Sequence, residues 1–451
     1  MKPFNRLTVF LLTLCLLLPA SLPAASAETL QPCHRVTSTF TDEKQSNGSQ
    51  VRLWHVETAQ EDVTREINSL AEGLRDELAP SLPKAANTGK KNSRLDVEIR
   101  YSRTGLHWMS FLVQARVQYH QKLTDQRLVT RTYHMETGTP VMLTDVFDDT
   151  DTTWSLLAER VRQQLTDYFP SEKPDAAALD ALCERSALEQ ADFTLHGMSL
   201  VLHYPASLLY KDKHTLIEVT LFYPEFRPLM TETAFHETDN TKYYKTCALT
   251  FDDGPSSSNT PGVLNALMET GARATFFVIG NRIKDYRYLV QREHDNGHAV
   301  ASHNWHHGNV TKSSGSALRA MPAKVNKAMI AAIGIPVRYD RVPGGRYPPM
   351  IKAKVGWSYI QWSLDTYDWR GGPTSGVMDK VRNLLHDGDI ILCHDIKPNT
   401  AESARQIVHY LEEQGYMPLT IDELFAKDGV VLEPNKVYYR CDHGDTSIRR
   451  D

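Results

Sequence analysis

Two adjacent carboxylates and a spaced pair of histidines are the residues best suited to chemistry in this chain. Thr250-Phe251-Asp252-Asp253-Gly254-Pro255 runs from an apolar segment into two acids and a turn. Like charges side by side are costly unless a cation or a proton separates their roles, so one aspartate is suited to ligate a metal while the other acts as a base. An exposed Asp-Gly turn is the bland explanation of these residues taken alone. About fifty residues later, beyond the reach of a local turn, Ser302-His303-Asn304-Trp305-His306-His307 follows another apolar run. His303 and His307 stand four apart, so on one helical turn their imidazoles share a face and reach a single ion, with His306 the odd one out. An HxxxH pair by itself fits a solvated helix face better. Joined to Asp253 it supplies two nitrogens and one oxygen, the donor set of a tetrahedral ion with one position open to water.

The elements that must position these residues can be read from periodicity. Thr246 to Phe251, Ala274 to Ile279, His298 to Ser302, Tyr359 to Ser363 and Asp389 to Leu392 are short apolar runs separated by helical segments. That alternation predicts an α/β unit with a mostly parallel, helix-covered sheet, open or closed into a barrel. The candidate residues then fall on loops after the carboxyl ends of strands. Residues 28–240 read instead as an α+β module. Leu95 to Tyr101 and Phe111 to Tyr119 alternate as half-buried antiparallel strands do. Thr153 to Leu165 has helical spacing, Phe193 to Leu202 reads as a hairpin turning at His196-Gly197, and Leu216 to Tyr223 adds a strand. His134, His196 and His203 lack metal-ligand spacing and read as surface or turn residues. The polar stretch His236 to Thr241 reads as a linker; residues 241–427 form the second unit, and 428–451 a polar tail around a weak strand, Lys436 to Tyr439.

At 451 residues the chain is long enough for two or three domains. With 41% hydrophobic and 23% charged residues it has the composition of a folded globular protein. Fifty basic against 55 acidic residues give −5, which excludes an overall basic field for nucleic acid or anionic lipid. Lys2 and Arg6, the apolar run Leu7 to Leu18 and Ala25-Ser26-Ala27 predict a signal peptide over residues 1–27, hence a secreted or cell-envelope address. A retained N-terminal anchor is the alternative. Cleavage removes two positive charges and no acid, leaving 48 basic against 55 acidic residues. No later run approaches the ~18 apolar residues of a membrane span. Of the mature cysteines, Cys247 and Cys393 read as buried small hydrophobes, and Cys33, Cys183 and Cys441 leave a disulfide open.

The motifs resemble a known family. Thr-Phe-Asp-Asp-Gly-Pro at 250–255, Ala274-Thr275-Phe276-Phe277-Val278, Gly297-His298 and the histidine pair are similar, in order and spacing, to polysaccharide deacetylases with a NodB-homology domain, carbohydrate esterase family 4. Arg341-Val342-Pro343-Gly344-Gly345, Trp362 to Trp369 and Ile390-Ile391-Leu392-Cys393-His394-Asp395 match the remaining blocks. The resemblance implies a distorted (β/α) barrel. It further implies one divalent ion, zinc first with cobalt or nickel accepted, on Asp253, His303 and His307. Asp252 is carried over as general base, His394 as the acid for the departing amine, Arg341 as partner of Asp252 and Asp368 as partner of His394. Gly344 would offer an oxyanion N–H, and Trp369 and Leu392 would wall an acetyl pocket.

The implied activity is removal of N-acetyl groups from an acetylated glycan, peptidoglycan (GlcNAc or MurNAc residues) ahead of chitin-like polymers. An O-acetyl xylan-type esterase and a non-catalytic glycan-binding protein are the alternatives; retention of Asp252, Asp253, both histidines and His394 argues against the second. Asn304 stands where the family usually has Ser or Thr, Asp340 where an aromatic residue is common, and Gly344 where Tyr is frequent. Met135 to Phe147 and the strands to Pro224 resemble the module that precedes the catalytic domain in some secreted peptidoglycan N-acetylmuramic acid deacetylases, which implies wall binding or positioning.

Overall fold

The computed structural model describes residues 35–82, 93–119 and 122–448. The expected signal peptide and Cys33 lie outside them. Among the described residues, no helix is long and apolar enough to cross a membrane.

The N-terminal part is built on six strands in sequential order: β1 (Thr37–Lys44), β2 (Gln50–Glu57), β3 (Ser93–Thr104), β4 (Trp108–Tyr119), β5 (Lys122–His134) and β6 (Thr139–Pro140). Only β2 and β3 pair in parallel, and the helix Glu61–Leu78 makes the crossover between them, burying Val63, Ile67 and Ala71 on the sheet. A three-stranded antiparallel sheet follows: β7 (Phe193–Leu195), β8 (Ser199–Pro205) and β9 (Leu216–Phe222). It packs with the helix Asp151–Asp167, whose Trp154, Leu157, Val161 and Leu165 line one stripe at helical spacing.

The remaining strands are β10 (Lys245–Asp252), β11 (Thr275–Val278), β12 (Ala299–Ser302), β13 (Tyr339–Asp340), β14 (Ser358–Ile360), β15 (Leu364–Asp365), β16 (Asp389–His394), β17 (Tyr416–Leu419) and β18 (Val437–Tyr438). Their order is β15-β16-β10-β11-β12-β13-β14-β18, every ladder is parallel, and β17 pairs with the start of β10. The edge strands β15 and β18 do not pair with each other, so this is the distorted, incompletely closed (β/α) barrel expected from the motifs. The weak strand expected over Lys436 to Tyr439 is β18, but the segment around it is not a solvated tail: it buries Tyr438 and Cys441 completely and extends the sheet beside β14.

β3 and β4 depart from the alternation expected of half-buried strands. Every residue from Trp108 to Val117 is buried, because the face away from the helix Glu61–Leu78 packs on the barrel unit and the β7–β9 sheet. Part of the polar face is paired across the junction. Glu98 is ion-paired with Arg116 and with Arg292, and Arg116 Nη1 donates to Asn296 Oδ1 at 3.1 Å. His203 is buried here too, its Nε2 2.7 Å from Thr194 Oγ1, and His196 Nε2 lies 2.8 Å from the same hydroxyl. His196 lies in the expected hairpin turn, whereas His203 is not the surface or turn residue its sequence context suggests; burial pushes both imidazoles well below the ordinary histidine value. Cys183, Cys247, Cys393 and Cys441 are free and buried, so Cys183 and Cys441 do not form a disulfide with each other.

Two glycines act as helix C-caps and as seats for N-terminal aromatic rings. Gly271 (φ +65°) ends the helix Thr260–Thr270 and Gly334 (φ +92°) ends Gly315–Ile333, both left-handed. A Cβ on Gly271 would collide with the Tyr101 ring, and one on Gly334 with Phe169. Gly334→Ala is therefore expected to cost about 3 kcal/mol, from left-handed strain and overpacking together, measured by chemical denaturation. Glu98 offers a second test. Burial alone would raise its carboxyl, but Arg116 and Arg292 hold it at about 2. Its stabilising contribution is thus complete above the ordinary carboxylate value of 4.5 and is lost as pH falls from there toward 2. Glu98→Ala, which strands two buried guanidinium groups, is expected to lose about 3–5 kcal/mol at neutral pH and to flatten that acid limb.

Candidate active site

Parallel register brings the candidate residues together at one end of the sheet. Asp252, the last residue of β10, is paired with His394, the last of β16. Ser302, ending β12, is paired with Asp340, ending β13, so the next residues, His303 and Arg341, leave the sheet as neighbours. Alternation along β10 sends Phe251 into the hydrophobic core and leaves Thr250 and Asp252 on the opposite face.

Asp253 turns out of the strand with φ +76°, a left-handed conformation that Asp tolerates better than most residues. Its carbonyl accepts from Arg282 Nη1 at 2.7 Å. The following residue must be glycine, since a Cβ on Gly254 would overlap the Asp395 carboxylate. The turn aims Asp253 Oδ1 at both histidines: 3.3 Å from His303 Nε2 and 3.1 Å from His307 Nε2. Donor atoms on a tetrahedral zinc stand about 3.4 Å apart for bonds of about 2.1 Å, so these separations suit one shared cation. Oδ1 is buried and takes no well-formed hydrogen bond, which leaves it available as a ligand. His303 Nδ1 lies 2.6 Å from the Arg341 carbonyl; donating there fixes the tautomer that presents the Nε2 lone pair to the cluster. Burial opposes the charge on Asp253, yet His303 and His307 hold its carboxyl down at about 2.

The histidine pair does not lie on a helical turn as its spacing suggests. Residues 303–308 form an irregular loop in which Asn304 has φ +60°. Asp340 cinches that loop: its Oδ1 accepts from Ser302 Oγ at 2.5 Å and from the Asn304 N–H at 3.1 Å. Asp340, a departure from the family pattern, therefore helps to position His303 through Ser302 and the Asn304 backbone. Burial raises the Asp340 carboxyl to about 7 despite those two donors. His306 points elsewhere, with Nδ1 3.1 Å from Asn281 Nδ2, and His307 remains half exposed.

Arg341 is fully buried and spends its guanidinium on four acceptors: Asp252 Oδ1 (2.8 Å), Thr250 Oγ1 (2.7 Å) and the carbonyls of Ile360 and Gln361 (both 3.1 Å). Its carbon Cζ lies 4.0 Å from the centre of the Phe277 ring. His394 Nδ1 is 2.7 Å from Asp368 Oδ1, and the His394 N–H donates to Asp368 Oδ2, also at 2.7 Å. Burial would lower the His394 imidazole, but the bond to Asp368 and the charge of Asp252 raise it above the ordinary value. Gly344 lies on an exposed turn with φ +63°, Trp369 is 45% exposed at the rim, and Leu392 is buried two residues before His394 on the same strand face.

Asp395, Thr260 and Thr250 have no role legible from sequence pattern. Asp395 is fully buried, accepts from Thr260 Oγ1 and lies against Gly254, so it braces the Asp253 turn from behind. Burial raises its carboxyl to about 7. The His-Asp dipeptide at 394–395 was the available signal, but only the fold shows that its acid faces the first motif.

The polysaccharide deacetylase family profile matches residues 239–356. Peptidoglycan-N-acetylglucosamine deacetylase PgdA of Listeria monocytogenes is 33% identical over 306 residues, which is 67% of this chain and 65% of PgdA. The chain thus spans just under two thirds of that relative's length. Peptidoglycan-N-acetylmuramic acid deacetylase PdaA of Bacillus subtilis is 31% identical over 197 residues, 42% of this chain and 74% of PdaA. Among solved structures, a T48 deacetylase with substrate is 31% identical, with a TM-score of 0.42, and the match covers 44% of this chain and 98% of that one. Sequence identity over most of PdaA, together with motif blocks in the family order, makes this chain a member of the polysaccharide deacetylase family.

Proposed function

We propose that this protein is a metal-dependent hydrolase that removes N-acetyl groups from peptidoglycan, working outside the cytoplasm after export by its signal peptide. The convergence of Asp253 Oδ1 with the two histidine Nε2 atoms carries the reading. Asp253, His303 and His307 would hold one divalent ion, zinc ahead of cobalt or nickel; such an ion supplies a lowered water pKa and a polarised acetyl carbonyl. The N-acetyl specificity rests on the relatives, PgdA and PdaA, which are named for peptidoglycan GlcNAc and MurNAc deacetylation.

The side chains divide the work as their partners dictate. Asp252, held in place by Arg341, takes the proton of the attacking water. The Gly344 N–H steadies the oxyanion that develops on the acetyl carbon's oxygen. His394, with Nδ1–H given to Asp368, delivers a proton from Nε2 to the amide nitrogen as the C–N bond breaks, releasing acetate and the free amine. Trp369 and Leu392 wall the acetyl group. Residues 28–240 form the module that positions the wall polymer, and 241–427 carry the chemistry with the strand contributed from 428–451.

Metal-loaded mature protein incubated with peptidoglycan fragments and read by mass spectrometry is expected to show loss of N-acetyl groups that stops on chelation. Loss confined to O-acetylated xylan fragments would overturn the substrate assignment. Asp252→Asn is expected to lower kcat by about 10²–10⁴ while bound metal is retained, and His303→Ala to lose the metal as well. Asp368→Asn tests the acid. Activity falls on the alkaline side as His394 loses its proton, and removing the partner that raises His394 is expected to move that limb of the kcat/KM profile to lower pH.

A further inference from the structure

A second group of metal-donor side chains meets far from the site just described, where the N-terminal sheet adjoins the segment leading into β10. We propose that His107, His134 and Glu237 form a binding site for a divalent transition-metal cation such as zinc, clamping the β3–β4 turn and the end of β5 to the helix Glu232–Glu237. The inference does not rest on the catalytic reading.

One donor atom from each of the three side chains lies within 4.8 Å of the other two. They come from separate parts of the chain: His107 from the turn after β3, His134 from the last position of β5, and Glu237 from the end of its helix. Glu237 already brackets the turn. Its Oε1 is 2.6 Å from His107 Nδ1, and its Oε2 accepts from the His107 backbone N–H at 3.3 Å. That approach requires glycine at position 105, where φ is +61° and a Cβ would overlap the Glu237 carboxylate and carbonyl. The Gly105 N–H donates to Asn240 Oδ1 at 2.7 Å, so the turn is held from both sides of the linker.

His134 has no metal-ligand spacing in sequence, yet its ring stacks on His107, 3° from parallel with centroids 5.0 Å apart. Its Nδ1 is buried and makes no hydrogen bond, a cost that a bound cation would remove. Glu136 Oε1 stands 3.7 Å from His107 Nε2 and offers a fourth donor on the solvent side. Nitrogen and carboxylate donors in this ratio favour zinc or its neighbours over magnesium or calcium. Closing on an ion requires the rings to swing out of parallel and the donors to draw together to about 3.4 Å. The Asp253 cluster is preassembled at 3.1–3.3 Å, so the second site binds more weakly and empties first on chelation.

Equilibrium dialysis of the mature full-length chain against zinc, followed by atomic emission, is expected to give two ions per wild-type chain, one in His303→Ala, one in His134→Ala and none in the double variant. Zinc is expected to raise the melting temperature of His303→Ala and to leave His134→Ala/His303→Ala unmoved. Should His134→Ala misfold, Glu237→Gln preserves size and hydrogen bonding and is expected to give the same loss. A single ion in wild type that vanishes in His134→Ala but not in His303→Ala supports this site and sinks the catalytic one. A wild-type chain with one ion lost only in His303→Ala, or a second ion kept by both His134→Ala and Glu237→Gln, overturns the proposal.

Discussion

Two carboxylates on consecutive residues must be kept in different electrostatic surroundings, and the architecture at the carboxyl end of the barrel strands answers that demand. Asp252 stays in strand geometry and faces Arg341; Asp253 leaves it through a positive φ and faces two imidazoles. The separation works because Arg341 serves both halves. Its guanidinium pairs with Asp252 while its carbonyl accepts from His303 Nδ1. A fully buried guanidinium is costly unless every donor has a partner. Thr250, two backbone carbonyls and the face of Phe277 supply the remaining contacts.

The same economy recurs at the junction of the two parts. A face of β3 and β4 that carries Glu98, Arg100, Gln114 and Arg116 would be solvated in an isolated sheet. Here it meets Arg292 and Asn296 of the barrel unit, which take Glu98 and Arg116 as partners across the boundary. Tyr101 extends the contact, its hydroxyl donating to the Glu269 carbonyl at 2.9 Å. The helix C-caps that admit Tyr101 and Phe169 lie on the barrel side, so complementarity is built into both partners.

How much of this was legible in the sequence depended on whether a feature is local. Strands with apolar runs, such as Thr246 to Phe251, and helices with a clear stripe, such as that carrying Trp154 and Leu165, were readable because their period is written in neighbouring residues. Asp252, Asp253 and the histidines were readable as motifs. Their mutual geometry was not: the helical turn expected from four-residue spacing is replaced by a loop that Asp340 holds from another strand through the Asn304 N–H. The alternation in Leu95 to Tyr101 suggested a wet face, because nothing local tells that another unit covers it. Asp395 and His134 were passed over for the same reason, since each acquires its partner from a segment tens of residues or more away.

That β18, at one end of the sheet path, is later in the chain than every other described strand bears on how the molecule is made. Until Val437 and Tyr438 dock, β14 has bare amides and carbonyls along one side, an invitation to foreign backbone. Biosynthesis runs from the amino end, so this rim stays unshielded until β18, the last of the described strands, has been made, and a chain truncated or stalled before it would carry the rim permanently.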